Sequence, residues 1–235
     1  MKLAVMQPYL FPYLGYWQLL AAVDKFVILD DVNYINRGWI NRNRVAVNGK
    51  PAWFTVPLVG ASQNRLINEM EIVPDNGWKR KMERMMSEAY AQAPEAQDVL
   101  PLLHRWLAGA SGSLSRFLYE TIKEVATFLG IATTIVPSSS IYPKNDLKGQ
   151  FRILDICRRE GATTYVNPPG GSEIYDAELF RRAGIELIFL QPDLHTGQLQ
   201  SGADEGVVLS IIDHMLCNPR EMLVDAVASF GLKAA

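Results

Sequence analysis

Adjacent carboxylates at Asp30-Asp31, closing the apolar run Lys25-Phe26-Val27-Ile28-Leu29, are the residues best placed to do chemistry in this chain. A carboxylate pair at a strand end can bind a cation or ribose hydroxyls, or take the proton of an attacking amine. The polar stretch that follows carries Asn33, Tyr34, Arg37, Trp39, Asn41, Arg42, Asn43 and Arg44. Its three arginines have the planar fork that grips a phosphate or carboxylate through two parallel hydrogen bonds. The same arginines could instead pair with Asp30 or Asp31, or face solvent along one side of a hairpin.

A second candidate lies upstream, in Met6-Gln7-Pro8-Tyr9-Leu10-Phe11-Pro12-Tyr13-Leu14-Gly15-Tyr16. Gln7 ends a strand, and Tyr9, Phe11 and Tyr13 offer an aromatic platform that two prolines stiffen. Gly15 permits close approach at the start of a helix, whose free N–H groups suit a phosphate, and Tyr16 adds a hydroxyl. The alternative is that the aromatics pack beneath the sheet. A third loop, Asn167-Pro168-Pro169-Gly170-Gly171-Ser172, can present N–H groups to an anion, or simply turn the chain with Ser172 as a helix cap. Of the three histidines, His104 and His214 fall in helical patterns, leaving His195 as the one to test as a base. No metal-ligand spacing, P-loop lysine or nucleophilic triad is present, so no metal site is expected and no cofactor can be named.

These loops must be held by strands and helices. Lys2 to Met6 and Lys25 to Leu29 read as buried strands, and Leu14 to Val23 reads as the helix between them. A right-handed βαβ unit of this kind collects its loops at one edge of a parallel sheet. Asn41 to Val47 and Ala52 to Val56 flank Asn48-Gly49, a strong hairpin signal and a candidate contact between copies. Trp78, Met82, Met85, Met86 and Tyr90 recur at helical spacing behind a cap at Asp75 or Asn76. Helices over Glu95 to Leu107 and from Ser113 onward complete a helical insert or subdomain spanning 75–130 of a single α/β domain, 1–235. The methionines favour helix packing over an adaptable binding groove.

Beyond the insert, strands at Ile131 to Val136, Thr163 to Val166 and Ile185 to Leu190 alternate with helices at Gln150 to Arg159, the latter carrying Phe151, Leu154 and Cys157, and at Glu173 to Arg182. One or two helices close the chain over Gly206 to Phe230. Strand–helix alternation on both sides of the insert predicts an open, mostly parallel sheet of Rossmann-like α/β type. In such sheets ligands bind beyond the carboxyl ends of the strands, which is where the three loops fall.

Composition narrows the function classes. A net charge of −2 makes nucleic acid an improbable partner, although clustered arginines can still hold a phosphate. No apolar run is long enough to span a bilayer, and the apolar run after Lys2 is too short for a signal peptide. Cys157 and Cys217 lack metal spacing and read as buried free thiols, so a cytoplasmic protein is expected. Oligomeric state is not readable.

Two resemblances bear on activity. Tyr13-Leu14-Gly15-Tyr16 is similar to the His-x-Gly-His loop of the nucleotidylyltransferases, with tyrosine at both histidine positions. That similarity implies a nucleotide-sized pocket, while tyrosine cannot supply the cationic imidazole that phosphoryl transfer uses. Over nearly the whole chain, and most specifically over Gln7 to Tyr16 and Val23 to Arg44, the sequence resembles the WbqC-like protein family. The resemblance implies bacterial O-antigen or other surface-polysaccharide assembly, with transfer of glycine or another aminoacyl group suggested for the family. The leading expectation is a transferase that acylates an amino sugar, as a nucleotide-sugar, from an acyl or aminoacyl donor; the resemblance itself carries over no catalytic residues. Asp30 or Asp31 would then serve as base, the arginines would hold the diphosphate, and Tyr9, Phe11 or Tyr13 would carry the nucleobase. A nucleotidyltransferase-like or adenylate-forming enzyme and a non-catalytic nucleotide-sugar-binding protein are the alternatives.

Overall fold

A computed structural model describes residues 1–171, 173–193, 199–203 and 206–235. Its main sheet holds β1 (Lys2–Met6), β2 (Lys25–Ile28), β7 (Thr134–Val136), β8 (Thr164–Asn167), β9 (Glu186–Pro192) and β10 (Phe230–Ala234). Across the sheet the order is β10-β9-β8-β1-β2-β7. All neighbours are parallel except β10, which runs antiparallel to β9. Counted along this sheet alone, the order is the doubly wound one in which the chain first builds outward from β1 to β7 and then returns to the other side. Two smaller antiparallel pairs stand beside it: β3 (Arg42–Val47) with β4 (Lys50–Thr55), and β5 (Leu58–Val59) with β6 (Glu71–Ile72).

Period-two alternation decides which face each strand residue serves. Leu3, Val5, Val27, Tyr165 and Leu187 point to one face, under α5 (Gly149–Arg159) and α6 (Ala177–Arg182). Ala4, Phe26, Ile28, Val166 and Leu190 point to the other. There they meet α1 (Leu14–Ala21), α7 (Ile211–Cys217) and α8 (Arg220–Ala228). The helices α2 (Trp78–Ala89), α3 (Ala96–Ala108) and α4 (Leu114–Phe128) occupy the stretch 75–130, and their apolar faces join this same core.

Several boundaries differ from the sequence expectation. The chain ends on an edge strand rather than a helix, because Phe230–Ala234 finds the free edge of β9. α6 begins only at Ala177, since Asp176 accepts from the N–H groups of Glu178 (2.9 Å) and Leu179 (3.3 Å) as its cap. α2 is capped by Gly77 in the left-handed region (φ 99°), while the Asp75 carboxylate accepts from Gly77 N (3.0 Å). Phe151 sits on the exposed side of α5, with Leu154 and Cys157 buried. Cys217 is only partly buried; both thiols are free, and burial pushes each up to about 12. Among the described residues no helix is long and apolar enough to cross a membrane.

Candidate functional site

The site is built where the sheet reverses direction, between β1 and β8. Their pairing stops at Leu3 with Tyr165, although β1 continues beside β2 to Met6 and β8 continues beside β9 to Asn167. The two strands therefore part at their carboxyl ends. The crevice of a doubly wound sheet opens at such a switch point because helices leave from opposite faces. Here α1 packs on one face and α5 on the other. The Tyr165 hydroxyl, fully buried, lies where the strands part, within reach of Val5 O (3.5 Å) and Asn167 Oδ1 (3.1 Å).

From β1 the opening loop runs through a set of anchors. Tyr16 is buried and donates to Gln7 O (3.1 Å), so its hydroxyl is spent inside the loop, and burial holds its proton well above the usual tyrosine range. Trp17 Nε1 donates to Pro12 O (2.9 Å). Phe11 is buried against Phe54 and Trp106 and takes a positive φ of 42°, a strained conformation for an aromatic residue. Neighbouring groups over-determine it: Asn43 Nδ2 donates to Leu10 O (2.9 Å) and Phe11 O (2.8 Å), and Ser210 Oγ donates to Phe11 O (2.7 Å). Gly15 is buried within α1.

The candidate residues of this loop that are not fully buried are Gln7, Tyr9 and Tyr13, each half-buried. The Gln7 amide makes no hydrogen bond among the described residues. Burial, with a smaller contribution from neighbouring Tyr13, pushes Tyr9 up to about 12, and burial likewise raises Tyr13. Both hydroxyls therefore stay protonated donors throughout the neutral range. Of the three aromatics, Phe11 is buried in the core and Tyr9 and Tyr13 stay partly exposed.

Across the gap, Asn167 is buried and Gly170 exposed. Gly171 lies so close to Asn167 that a Cβ there would sit 1.7 Å from Asn167 Nδ2 and 3.1 Å from the Tyr175 ring. Only glycine lets the loop cross this tightly. Ser172 and His195 lie outside the described residues.

Asp30 and Asp31 end β2, one strand from the gap, and both are buried. Ser138 Oγ (2.6 Å) and Ser139 N (3.2 Å) donate to Asp30 Oδ1, and Ser115 Oγ donates to Oδ2. Asp31 accepts from Ser139 Oγ (2.5 Å) and from Arg152 Nη2 (2.9 Å), and Lys144 Nζ reaches its backbone carbonyl (2.6 Å). Arg152, 3% exposed, also donates to Ser139 O, Tyr142 O and Pro143 O. The pair thus ties β2 to the turn after β7, to α4 and to α5.

The arginines of the polar stretch go elsewhere. Arg42 stacks on Trp53 at 4.1 Å and donates to Gly38 O and Arg37 O. Arg44 lies 5.3 Å from the Trp39 ring and donates to Val208 O (2.9 Å). Arg37 is exposed with φ 60°, and its guanidinium makes no hydrogen bond among the described residues. Asn33 is exposed too, whereas Tyr34 donates to Asn41 Oδ1 (2.7 Å) and Asn41 to Val56 O (2.8 Å) in the interior. Sequence reasoning had no means to pair Asp31 with Arg152, 121 positions away. The one legible signal was a charged residue on the apolar side of α5. Ser115 gave none.

The strand order and the parting of β1 and β8 together define a doubly wound α/β protein with its switch point between those two strands. Residues 7–224 match the model of the WbqC-like protein family, and the chain belongs to that family. It is 28% identical over 214 residues to an uncharacterized protein of Mycobacterium tuberculosis, Rv1507c, covering 90% of this chain and 91% of that one. No solved structure matches the chain.

Proposed function

We propose that this protein is a transferase that acylates, or aminoacylates, an amino sugar carried on a nucleotide during assembly of a bacterial surface glycan. The observation that carries the reading is the parting of β1 and β8 at the switch point; in this reading Gln7, Tyr9 and Tyr13 of the loop after β1 and Asn167 to Gly171 after β8 line the ligand. Nucleotide-linked ligands bind doubly wound sheets at this position. Tyr9 and Tyr13 offer ring faces with hydroxyls that stay protonated, Gln7 an amide that makes no hydrogen bond among the described residues, and the Gly170-Gly171 loop a backbone that a diphosphate can approach.

In this reading Asp31 activates the acceptor amine only through a lone pair that Ser139 and Arg152 leave open. Asp30 and Asp31 otherwise hold the corner between β2 and β7 in place. The buried Tyr16 hydroxyl, committed to Gln7 O, disfavours a nucleotidylyltransferase role for the Tyr13–Tyr16 loop.

The test is calorimetric titration with a UDP-linked amino sugar, followed by mass spectrometry after adding aminoacyl adenylate or acyl thioester donors. Binding in the micromolar range, weakened at least about tenfold in Gln7→Ala, together with a product heavier by one acyl group, is the expected result. Gly171→Ala should weaken binding similarly, and shortening the obstructing side chain in Gly171→Ala/Asn167→Ala should restore part of it. Absence of nucleotide-sugar binding sinks the proposal. Binding with no transfer from any donor reduces it to a binding protein.

A further inference from the structure

A groove of about 1040 Å³ lies between the hairpin strand β4 and helix α2, built from residues outside the crevice. On α2 the floor comes from Trp78, Met82 and Met85, while Met86 and Tyr90 of the same apolar stripe are buried in the core. Thioethers on such a floor adapt to varied apolar side chains. Opposite stands β4, the outer strand of a two-stranded sheet. Val56 N bonds to Asn41 O (2.8 Å), which fixes the alternation so that Phe54 and Ala52 face β3, and the backbone groups of Trp53 and Thr55 point outward. Both residues line the groove.

The rim is cationic. Arg80, Lys81 and Arg84 line it against a single carboxylate, Glu88, which Arg84 already holds at 2.9 Å. This local positive charge sits on a chain whose net charge is −2. We propose that this groove docks an extended, acidic segment of a partner protein, which adds a strand to the outer edge of β4 and seats its apolar side chains on Trp78 and Met85. Main-chain pairing gives affinity in this mode, and side-chain pockets with charge give selectivity.

Two other occupants fit less well. A second copy would bring the same cations against themselves. A nucleic acid strand would need open aromatic faces, yet Arg42 covers Trp53 at 4.1 Å and Trp39 packs against it at 5.4 Å.

The experiment uses fluorescence anisotropy of the full chain with a fluorescein-labelled peptide of alternating glutamate and leucine, and a matched peptide of alternating lysine and leucine. The acidic peptide should bind and the basic one should not. Arg80→Glu/Lys81→Glu should weaken binding by about tenfold or more with unchanged melting temperature, both residues being exposed. Thr55→Pro removes one outward N–H without touching the β3 ladder and should weaken binding independently of charge. Equal affinity for the two peptides, indifference to both variants, displacement of the peptide by a single-stranded oligonucleotide, or self-association blocked by the same variants would each overturn the proposal.

Discussion

Replacing Arg152 by methionine tests whether the carboxylate pair is first of all a structural joint. The guanidinium is 3% exposed and Asp31 5%, with a separation of 2.9 Å. Methionine keeps roughly the apolar stem and removes the charge, along with the donors to Ser139 O, Tyr142 O and Pro143 O. Breaking a buried ion pair by deleting one partner costs about 3–5 kcal/mol, because the remaining charge stays buried and uncompensated. The attraction between the two charges is not what that figure measures. For a chain of this size such a loss lowers the melting temperature by roughly 6–20 °C. Urea unfolding followed by circular dichroism gives the free energy directly. Asp31→Asn should also destabilise, and Arg152→Met/Asp31→Asn should lose less than the sum of the two, since the second substitution removes a charge the first left stranded. A single-variant loss below about 1 kcal/mol, or strict additivity, would refute the joint and return Asp31 to a purely chemical role.

Two more expectations follow from the anchors around the crevice. Asn43→Ala deletes the Asn43 donors to Leu10 O and Phe11 O and leaves Phe11 O with Ser210 Oγ alone; a loss of about 1–3 kcal/mol is expected, with faster amide exchange in the opening loop as the positive φ of Phe11 loses support. Stability should also fall at alkaline pH: Cys157, Cys217 and Tyr9 each release their protons near 12 when folded, against ordinary values of 9 for the thiols and 10 for the tyrosine. Above pH 9 the unfolded chain has therefore shed protons that the folded one keeps. Stability contributed by these groups is complete below pH 9 and drains away up to about pH 12. Denaturant melts across pH 8 to 11 that show no decline would contradict the burial of these groups.

Much of this molecule was legible in the residue order. Apolar runs closed by Gln7-Pro8 and Asp30-Asp31 marked the first two strands, Asn48-Gly49 marked the hairpin, and Ser113 marked the start of α4. Periodicity and turn chemistry are local properties, so they survive without a structure. The loops at the carboxyl edge were legible, because alternation of strand and helix implies such an edge. Partnership was not. Asn43 looked like a ligand contact and instead fastens Phe11; Tyr16 looked like a donor and is spent on Gln7 O. The C-terminal strand was hidden because Phe230–Ala234 becomes a strand only beside the open edge of β9.

The sequence by itself thus determined the parallel α/β alternation, the hairpin and the family. The tertiary structure alone decided where β1 and β8 part, which aromatic of the opening loop is buried, and that Asp31 is held by Arg152 rather than by the arginines next to it in the chain. The reason is physical: a buried charge takes whichever partner the packing brings within about 3 Å, and separation along the chain does not enter that interaction.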